Sequence, residues 1–391
     1  MLNRIICFVK QKFVVLCLVF CTQLFLLNGC NTNKETNEEV IKIELPETID
    51  DKYEVSNGLI IKLETTDEIL LGFIMDVKLR GDTVFVLDEF GKRLYLFHRN
   101  GKYIDKIENV GKGPLEYLRI NDFALYENEI YVLGQKEIVV FDATNLKAQR
   151  KIKLDFYALS LFVGDKNIIL STHQCESGYI LNYMSKLNHN INKYMESAIK
   201  SGDNGLRLVY SAYKFNPIPD DGKSLFHYSY GDIIFIVSDS GYQCAYQVDL
   251  KDKCVPNYIL AKNPDAIENY SKNNDYLHID KCFQFGKNLI ICLNSSMDYN
   301  YDTYDFLINT PTGTSHYNSI VEKNLGLPIN IIGTCSAGFI GSFSSGELDK
   351  KRGKLLTKVD KGEELSPDEK NFLAEFKDNT NPYLIVFNLK D

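Results

Sequence analysis

The stretch IMDVKLRGDTVFVLDEFGKRLYLFHRNGKYIDKIE, residues 74–108, decides the fold. It contains four short runs of alternating apolar and polar residues, rich in β-branched and aromatic side chains: IMDVKL, TVFVLD, RLYLFH and YIDKIE. The connectors RGD, EFGK and RNGK each contain Gly, Asn or Asp, the residues that tolerate the backbone angles of hairpin turns. The stretch therefore predicts four consecutive antiparallel strands.

The same unit recurs along the chain. INDFAL, EIYVLG, EIVVFD and AQRKIKL repeat the four-run scheme. Six segments in which a turn leads into a β-rich run start 37 to 67 residues apart: GDTVFVLD (81–88), ENEIYVLG (127–134), GDKNIILS (164–171), GDIIFIVS (231–238), GKNLIICL (286–293) and SAGFIGSF (336–343). This spacing brackets the length of a four-stranded propeller blade and predicts an all-β, six-bladed β-propeller of antiparallel blades. A two-sheet sandwich is the alternative architecture.

The two ends of the repeat region predict closure of the ring. The last unit supplies GFIGSF and, after an insertion, YLIVFNLK (383–390), but it lacks an outer strand, which GLIIKLE (58–64) would provide. Within the insertion, Ser366, Pro367 and Glu369 form a helix-start signature ahead of an apolar face, which predicts one short helix in the last blade. The basic stretch at 349–361 is interpreted as a solvated loop.

The N-terminus resembles a bacterial lipoprotein signal. Basic residues precede an apolar run that is short for a membrane span, and LLNGC places Cys30 where the lipobox cysteine is acylated. The expected organisation is a signal peptide at 1–29, a flexible tether at 30–55 and a propeller at 56–391. An ordinary signal anchor that contains a cysteine is the alternative.

Charge excludes one class of partner. The chain has 44 basic and 52 acidic residues, and without the three basic residues of 1–29 its net charge is −11. Such an acidic protein has no electrostatic reason to bind nucleic acid. The expected location is the cell envelope, as an outer-membrane lipoprotein that contacts the membrane through its lipid anchor.

The Gly-Lys-Gly of the stretch VGKGPLEYLRINDFAL (110–125) suggests a phosphate-binding loop, but the flanking sequence excludes one. A P-loop needs GxxxxGK[ST] between a strand and a helix, whereas this Gly-Lys precedes Gly-Pro and another strand. The stretch instead connects one blade to the next, toward the channel where propellers bind ligands. Lys112, Glu116, Tyr117 and Arg119 are therefore candidate ligand-binding residues. In the alternative, Glu116 caps backbone donors of the turn and Tyr117 packs between blades.

Residues 86–125 resemble the six-bladed β-propeller lipoproteins of Bacteroidetes, of the NHL/TolB-like type. The positions that carry the resemblance are Asp88, Phe97, Gly101, Lys102, Gly111, Gly113, Pro114, Glu116 and Tyr117, with Asn381–Pro382 before the last strand. The resemblance covers about 60–390 and is sharp only at 81–142 and 378–391. It implies fold and export but no particular activity.

The cysteines and histidines show no local catalytic or metal-binding pattern. After the signal, Cys175, Cys244, Cys254, Cys282, Cys292 and Cys335 show no CxxC spacing, and no two histidines have HxH or HxxxH spacing. Cys282 and Cys292 flank a predicted hairpin, so either a bridge or two buried thiols fits. Asp88 and Asp122, near strand ends, are interpreted as turn or inter-blade hydrogen-bond acceptors.

These observations favour a binding or scaffold module for a protein, peptide or glycan partner, with no catalytic residues, metal site or cofactor predicted. A metal-dependent hydrolase or lyase with its site in the channel is the alternative, since its ligands would come from several blades and leave no local motif. A structural subunit of an outer-membrane complex is a third reading. Fold alone does not decide between them.

Overall fold

The computed structural model describes residues 40–88, 92–172, 179–196, 214–227, 231–254, 270, 276–295, 304–376 and 381–390. The signal region 1–29, Cys30, His173 and Cys175 lie outside the described residues.

The described strands form seven sheets, numbered here in the order of their first strands around the repeat region. Sheets 1 to 6 each contain four or five strands and follow the predicted up-and-down scheme. Their strands, with those of sheet 7, are Ile74–Arg80, Thr83–Asp88, Leu94–His98 and Tyr103–Ile107 in sheet 1; Asp122–Tyr126, Glu129–Leu133, Glu137–Asp142 and Ala148–Lys153 in sheet 2; Ala158–Val163, Asn167–Thr172, Tyr179–Ser185 and Ile191–Glu196 in sheet 3; Asn216–Ile218, Lys223–Phe226, Ile233–Ser238, Gly241–Asp249 and Ile41–Glu44 in sheet 4; His278–Phe285, Asn288–Asn294, Tyr304–Thr310 and Gly313–Tyr317 in sheet 5; Asn330–Cys335, Gly338–Phe343, Tyr383–Phe387 and Leu59–Lys62 in sheet 6; and Tyr53–Val55, Ile320–Glu322 and Leu327–Pro328 in sheet 7.

The count of seven sheets corrects the predicted six. Sheet 7 has three strands of two or three residues each, too short to show an alternating pattern in the sequence. One of them, Tyr53–Val55, comes from the segment assigned to the tether and pairs in parallel with Ile320–Glu322. Pairings between segments so far apart leave no local signal.

The repeat places the first strand of each large sheet nearest the axis. First strands of sheets 1 and 6, 2 and 3, 4 and 5, and 5 and 6 contact one another. In sheets 1, 3, 5 and 6 the first strand carries an irregularity of register opposite its partner, one or two residues after it begins. Such bulges bend a strand and redirect the side chain that follows. In sheets 1 and 3 the residue that follows the irregularity is polar: Asp76 and Ser160.

The ring closes as the sequence predicted. Leu59–Lys62 pairs antiparallel with Tyr383–Phe387 and becomes the outer strand of sheet 6. The closure satisfies the edge that this sheet would otherwise expose. Strands from the two ends of the described chain therefore share one sheet.

The segment before residue 56 is not a simple tether in the structure. Ile41–Glu44 pairs in parallel with Gly241–Asp249 on sheet 4, and Asp50 bridges Tyr317 on sheet 5. Tyr53–Val55 then joins sheet 7. We call residues 41–62 the belt, because this segment runs along the outer edges of sheets 4, 5, 7 and 6. The ordered fold therefore begins ahead of the predicted boundary.

Two helices interrupt sheet 6. Helix α1, Ser345–Asp360, lies on the basic stretch that was interpreted as a loop, and that interpretation is wrong. Ser344 and Glu347 form a capping box at its start, and Leu348 and Leu355 are buried two turns apart. Helix α2, Pro367–Glu375, confirms the predicted short helix. No helix in the described part of the chain is long and apolar enough to cross a membrane.

The core consists of apolar clusters between neighbouring sheets. Cys282 belongs to the cluster toward sheet 4, whereas Cys292 belongs to the cluster toward sheet 6. Cys292 pairs across the hairpin with Lys281, so the two thiols lie on opposite faces of sheet 5. Both are free and buried, as in the second of the two readings. Burial raises the pKa of both thiols.

Candidate functional site

The connection into sheet 2 is a turn held by Glu116. Its Oε2 accepts a hydrogen bond of 2.7 Å from the backbone N–H of Gly113. A Cβ atom on Gly111 would lie 1.9 Å from the same oxygen, so the glycine leaves the space that the carboxylate occupies. Lys151 donates to the Gly113 carbonyl at 3.3 Å. Glu116 therefore caps the turn, as the structural alternative expected.

Tyr117 is a packing residue of the same connection. Its side chain is 0% exposed and lies edge-on to Phe141, with ring centroids 6.5 Å apart. Its hydroxyl donates to the carbonyls of Lys92 and Ile107, each at 3.1 Å. Burial raises the pKa of this phenol. The ring packs against sheet 2 and the hydroxyl bonds to backbone carbonyls of sheet 1 and its second turn, so the side chain is buried between the two sheets.

Lys112 and Arg119 are exposed on this connection. Tyr117, which lies between them in the sequence, is buried, so its ring is not part of the exposed surface. The structure thus separates the four candidate residues into two structural side chains and two exposed cations. A ligand-binding role for Lys112 and Arg119 stays a prediction.

A second polar constellation lies where the first strands of sheets 1 to 4 begin. Lys78 Nζ lies 2.6 Å from Asp76 Oδ2 and 3.6 Å from Asp122 Oδ1. Lys214, two residues before sheet 4, places its Nζ 3.5 Å from Asp76 Oδ2. Lys78 also lies over the ring of Phe123, 4.1 Å from its centroid. Two carboxylates and two lysines are thus drawn together from sheets 1 and 2 and from the connection ahead of sheet 4.

Asp122 extends this constellation to sheet 3. Its Oδ2 accepts hydrogen bonds from the hydroxyl of Ser160 and, at 3.0 Å, from the backbone N–H of Leu161. Ser160 Oγ in turn accepts from the backbone N–H of Phe215 at 3.1 Å, ahead of sheet 4. These contacts join sheets 1, 2 and 3 to the connection ahead of sheet 4, and the circuit closes through the peptide link between Lys214 and Phe215. We call this set of residues the channel ring: Asp76, Lys78, Asp122, Ser160 and Lys214. The interpretation of Asp122 as an inter-blade acceptor is confirmed.

Asp88 has the other role expected of these aspartates. Its Oδ1 accepts from the backbone N–H of Lys92 at 3.3 Å, within the turn that follows its strand. Asp88 and Asp122 therefore act as turn and inter-blade acceptors.

The charges of the channel ring stabilise one another. Burial alone would raise the pKa of Asp76, but the charges of Lys214 and Lys78, with hydrogen bonds from Lys78 and the backbone N–H of Val77, lower it below its ordinary value. Burial alone would lower the pKa of Lys78, but Asp76 and Asp122 raise it. Both groups are therefore charged at neutral pH. A carboxylate held ionised in this way is a poor general acid.

A cavity of about 360 Å³ extends from the channel ring to the ends of the first strands. All six large sheets or their connections contribute to its wall. The aromatic surface comes from Phe162, Phe215 and Phe283. The charged and polar groups of the wall are those of Asp76, Lys78, Arg80, Asn216, Asp220, Thr334 and Ser336. Lys112, Glu116, Tyr117 and Arg119 do not line it. The cavity therefore combines apolar surface with a few convergent polar groups, as small-ligand sites do.

The metal-enzyme alternative depends on clusters of ligating side chains. Among the described residues, no group of three or more His, Cys, Asp or Glu is arranged to hold a metal ion. His227 is the most enclosed histidine of this part of the chain: its Nε2 lies 3.0 Å from the Asp280 carbonyl and its Nδ1 3.6 Å from Cys282 Sγ. Burial lowers the pKa of His227 to about 4, so this imidazole is neutral at pH 7.

Sequence reasoning missed Asp76, Lys78, Ser160 and Lys214. None of them belongs to a local motif, and the contacts that join them connect residues far apart along the chain. One usable signal was the repeat itself. Asp76, Asp122 and Ser160 occupy the same position in the first strands of sheets 1, 2 and 3, because each pairs with the fifth residue of the second strand of its sheet. A polar residue at the same position of three buried strands indicates an internal network.

Comparisons with known proteins agree with the fold. The model of the family described as a domain of unknown function (DUF4934) matches residues 43–388. The crystal structure of a protein described as exported, from Bacteroides fragilis, is similar with a TM-score of 0.70 and 15% identity, over 90% of this chain and 100% of that one. A DUF4221 member from Bacteroides vulgatus has a TM-score of 0.50 and 10% identity, over 86% and 98%.

These likenesses show a β-propeller, and at such low identity they show the fold alone. They do not confirm the finer assignment to NHL/TolB-like propellers. No curated protein matches the sequence.

Proposed function

The chain belongs to the DUF4934 family, and we propose that it is an exported, lipid-anchored binding module whose ligand site is the channel cavity. The ligand is a protein segment, peptide or glycan. Export is supported by the lipobox-like LLNGC, which makes Cys30 the acylated residue, and by the description of the Bacteroides fragilis structure as exported.

The observation that carries the proposal is the way the cavity is built. Its wall comes from six sheets whose first strands contact one another, so no single hairpin can move without disturbing its neighbours. A preformed site of this kind binds without the entropic cost of ordering a loop. Phe162, Phe215 and Phe283 offer apolar surface, and Thr334 and Ser336 lie at the rim with polar groups.

The charge state of the channel ring favours binding over acid–base catalysis. Asp76 is ion-paired with Lys78 and Lys214, and Asp122 is held by Lys78, Ser160 and a backbone N–H. Catalytic acids and bases work best with a pKa near the working pH, whereas the pKa of Asp76 is lowered. The channel ring therefore presents charges in fixed positions to a bound ligand.

The test uses a substitution that fills the mouth of the cavity. Ser336 is exposed in the turn at the end of the first strand of sheet 6, so Ser336→Trp fills space without disturbing the core. Thr312→Trp, in the exposed outer hairpin of sheet 5, is the matched control. Residues 31–391 and both variants are applied to a glycan array and to a soluble peptide pool, and binders are measured by calorimetry.

We expect a binder whose affinity falls at least tenfold in Ser336→Trp and is unchanged in Thr312→Trp. A binder equally affected by both variants, or by neither, would place the site elsewhere. For the anchor, Cys30→Ser is expected to abolish incorporation of labelled palmitate and to move the protein from the detergent phase to the aqueous phase; retention of label would refute acylation at Cys30.

A further inference from the structure

We propose that the connections flanking sheet 2 form a second binding surface, separate from the channel cavity, for an acidic peptide segment that carries a large apolar side chain. We call this surface the connection face. It consists of three backbone segments, 110–119, 134–137 and 151–158, which enter, turn within and leave sheet 2.

Hydrogen bonds make these segments one continuous surface. Asn121 donates through Nδ2 to the carbonyls of Gly134 and Ala158, at 3.1 and 3.2 Å. The N–H of Leu154 donates to the Lys136 carbonyl at 2.8 Å. Lys151 reaches the carbonyl of Gly113. The three segments are thus held in fixed positions around Asn121.

The connection face exposes large apolar side chains that the fold does not bury. Val110, Leu118 and Tyr157 are 41%, 49% and 43% exposed. Lys136 Nζ lies 4.2 Å from the centroid of the Tyr157 ring, so the exposed aromatic ring is already paired with a cation. Exposed apolar surface rimmed by polar residues marks protein-interaction sites, and these three side chains stand on segments that hydrogen bonds hold together.

The charge of the connection face is opposite to that of the whole chain. Its three segments contain five basic residues, Lys112, Arg119, Lys136, Lys151 and Lys153, and three acidic ones, Glu116, Glu137 and Asp155, in a chain of net charge −8. Glu116 is bound to the turn, and the Glu137 carboxylate lies over Gly134, where a Cβ atom would be 2.5 Å from Oε1. Two of the three acids thus face their own backbone.

This combination selects the occupant. Exposed Lys112 and Arg119 attract carboxylates. The exposed side chains of Leu118 and Tyr157 offer apolar contact. A basic patch on an acidic protein steers acidic segments toward it and repels basic ones.

The experiment is a selection from a phage-displayed library of random dodecapeptides on residues 31–391. We expect enriched peptides with two or more net negative charges and at least one aromatic or aliphatic residue, and affinity that falls as salt rises. Arg119→Glu and Leu118→Asp should each weaken a selected peptide at least tenfold. Both side chains are exposed, so the thermal midpoint should not change.

Two controls separate this surface from the channel. Lys287→Glu changes an exposed lysine in the first turn of sheet 5 and should leave peptide affinity unchanged, as should Ser336→Trp in the cavity mouth. Enriched peptides that are neutral or basic, the absence of any enrichment, or binding that Arg119→Glu and Leu118→Asp leave unchanged would overturn the proposal. Loss of binding in Ser336→Trp alone would assign the peptide to the channel instead.

Discussion

The Nζ atom of Lys214, just ahead of sheet 4, lies 3.5 Å from Oδ2 of Asp76 in sheet 1. Lys78 contacts the same oxygen at 2.6 Å, so one carboxylate is shared by a lysine of its own strand and a lysine of the connection ahead of sheet 4. A buried pair is costly to break because the remaining charge is left without compensation. Loss of either lysine should therefore lower the free energy of unfolding, but by different amounts for the two lysines.

Replacement of Lys78 by Met is expected to lower the free energy of unfolding by about 3 kcal/mol, since Asp76 and Asp122 both lose a cation. Lys214→Met should cost about 1 kcal/mol, because its side chain is 28% exposed against 18% for Lys78 and Asp76 keeps Lys78. Urea unfolding followed by circular dichroism measures both. Equal effects of the two substitutions would contradict the shared-carboxylate arrangement.

Acid should destabilise the fold through His227. Its pKa is about 4 in the folded chain, because burial disfavours the charged form, against about 6.5 when unfolded. Above pH 6.5 both states are neutral at this residue and it has no effect. Between pH 6.5 and 4 only the unfolded state binds the proton, so stability falls by up to about 1.4 kcal/mol per pH unit.

The variant His227→Gln isolates this contribution from that of the carboxylates. Between pH 6 and 4.5, the slope of its unfolding free energy against pH should be smaller, by an amount that corresponds to about one bound proton. Identical slopes for the two proteins would show that His227 is not held neutral. Urea denaturation at half-unit pH steps gives both slopes.

Gly101 should not tolerate a side chain. Its φ is +89°, and a Cβ atom would lie 1.8 Å from the carbonyl oxygen of Lys62 in the belt. Gly101→Ala is expected to destabilise by about 2 kcal/mol or more, from strain plus the backbone clash. Gly81, with φ of +56° and open space around it, is the matched control, and Gly81→Ala should cost about 1 kcal/mol. Thermal melts that rank the two variants the other way would refute the close contact.

The belt gives another matched pair within one strand. Ile43 is buried against sheet 4, whereas Ile41 is half exposed. Ile43→Asp should release the strand, lower the melting temperature and open residues 40–50 to protease, while Ile41→Asp should do neither, because only the first change buries a charge. Limited proteolysis with mass spectrometry locates the cleavage. Equal resistance of both variants would mean that this strand does not hold the belt in place.

The repeating sheets were predictable because each hairpin carries its own signal. TVFVLD and RLYLFH are short apolar runs, rich in β-branched and aromatic residues, between turn-forming connectors, and closure by residues 59–62 follows from a missing outer strand. Sheet 7 and the belt were not predictable in this way. Three-residue pairings such as Tyr53–Val55 with Ile320–Glu322 form only after the ring has brought distant segments together.

Helix α1 shows a different limit. Its sequence is dominated by lysine and looks like a solvated loop, and only Leu348 and Leu355 face the core. The capping residues Ser344 and Glu347 were a usable signal that composition obscured. At the site, the Gly-rich turn predicted a special backbone, but only coordinates could show that Glu116 occupies the space the glycines leave and that Tyr117 faces inward.

The belt also has a mechanical consequence. A pull on the chain ahead of residue 40, such as a membrane-held N-terminus would transmit, first loads the parallel pairing of Ile41–Glu44 with sheet 4. The load next meets the pairing of Tyr53–Val55 with Ile320–Glu322. Only when both have yielded does tension reach the strand Leu59–Lys62 that closes the ring. Under such a load the short pairings of the belt would have to separate before the ring opens.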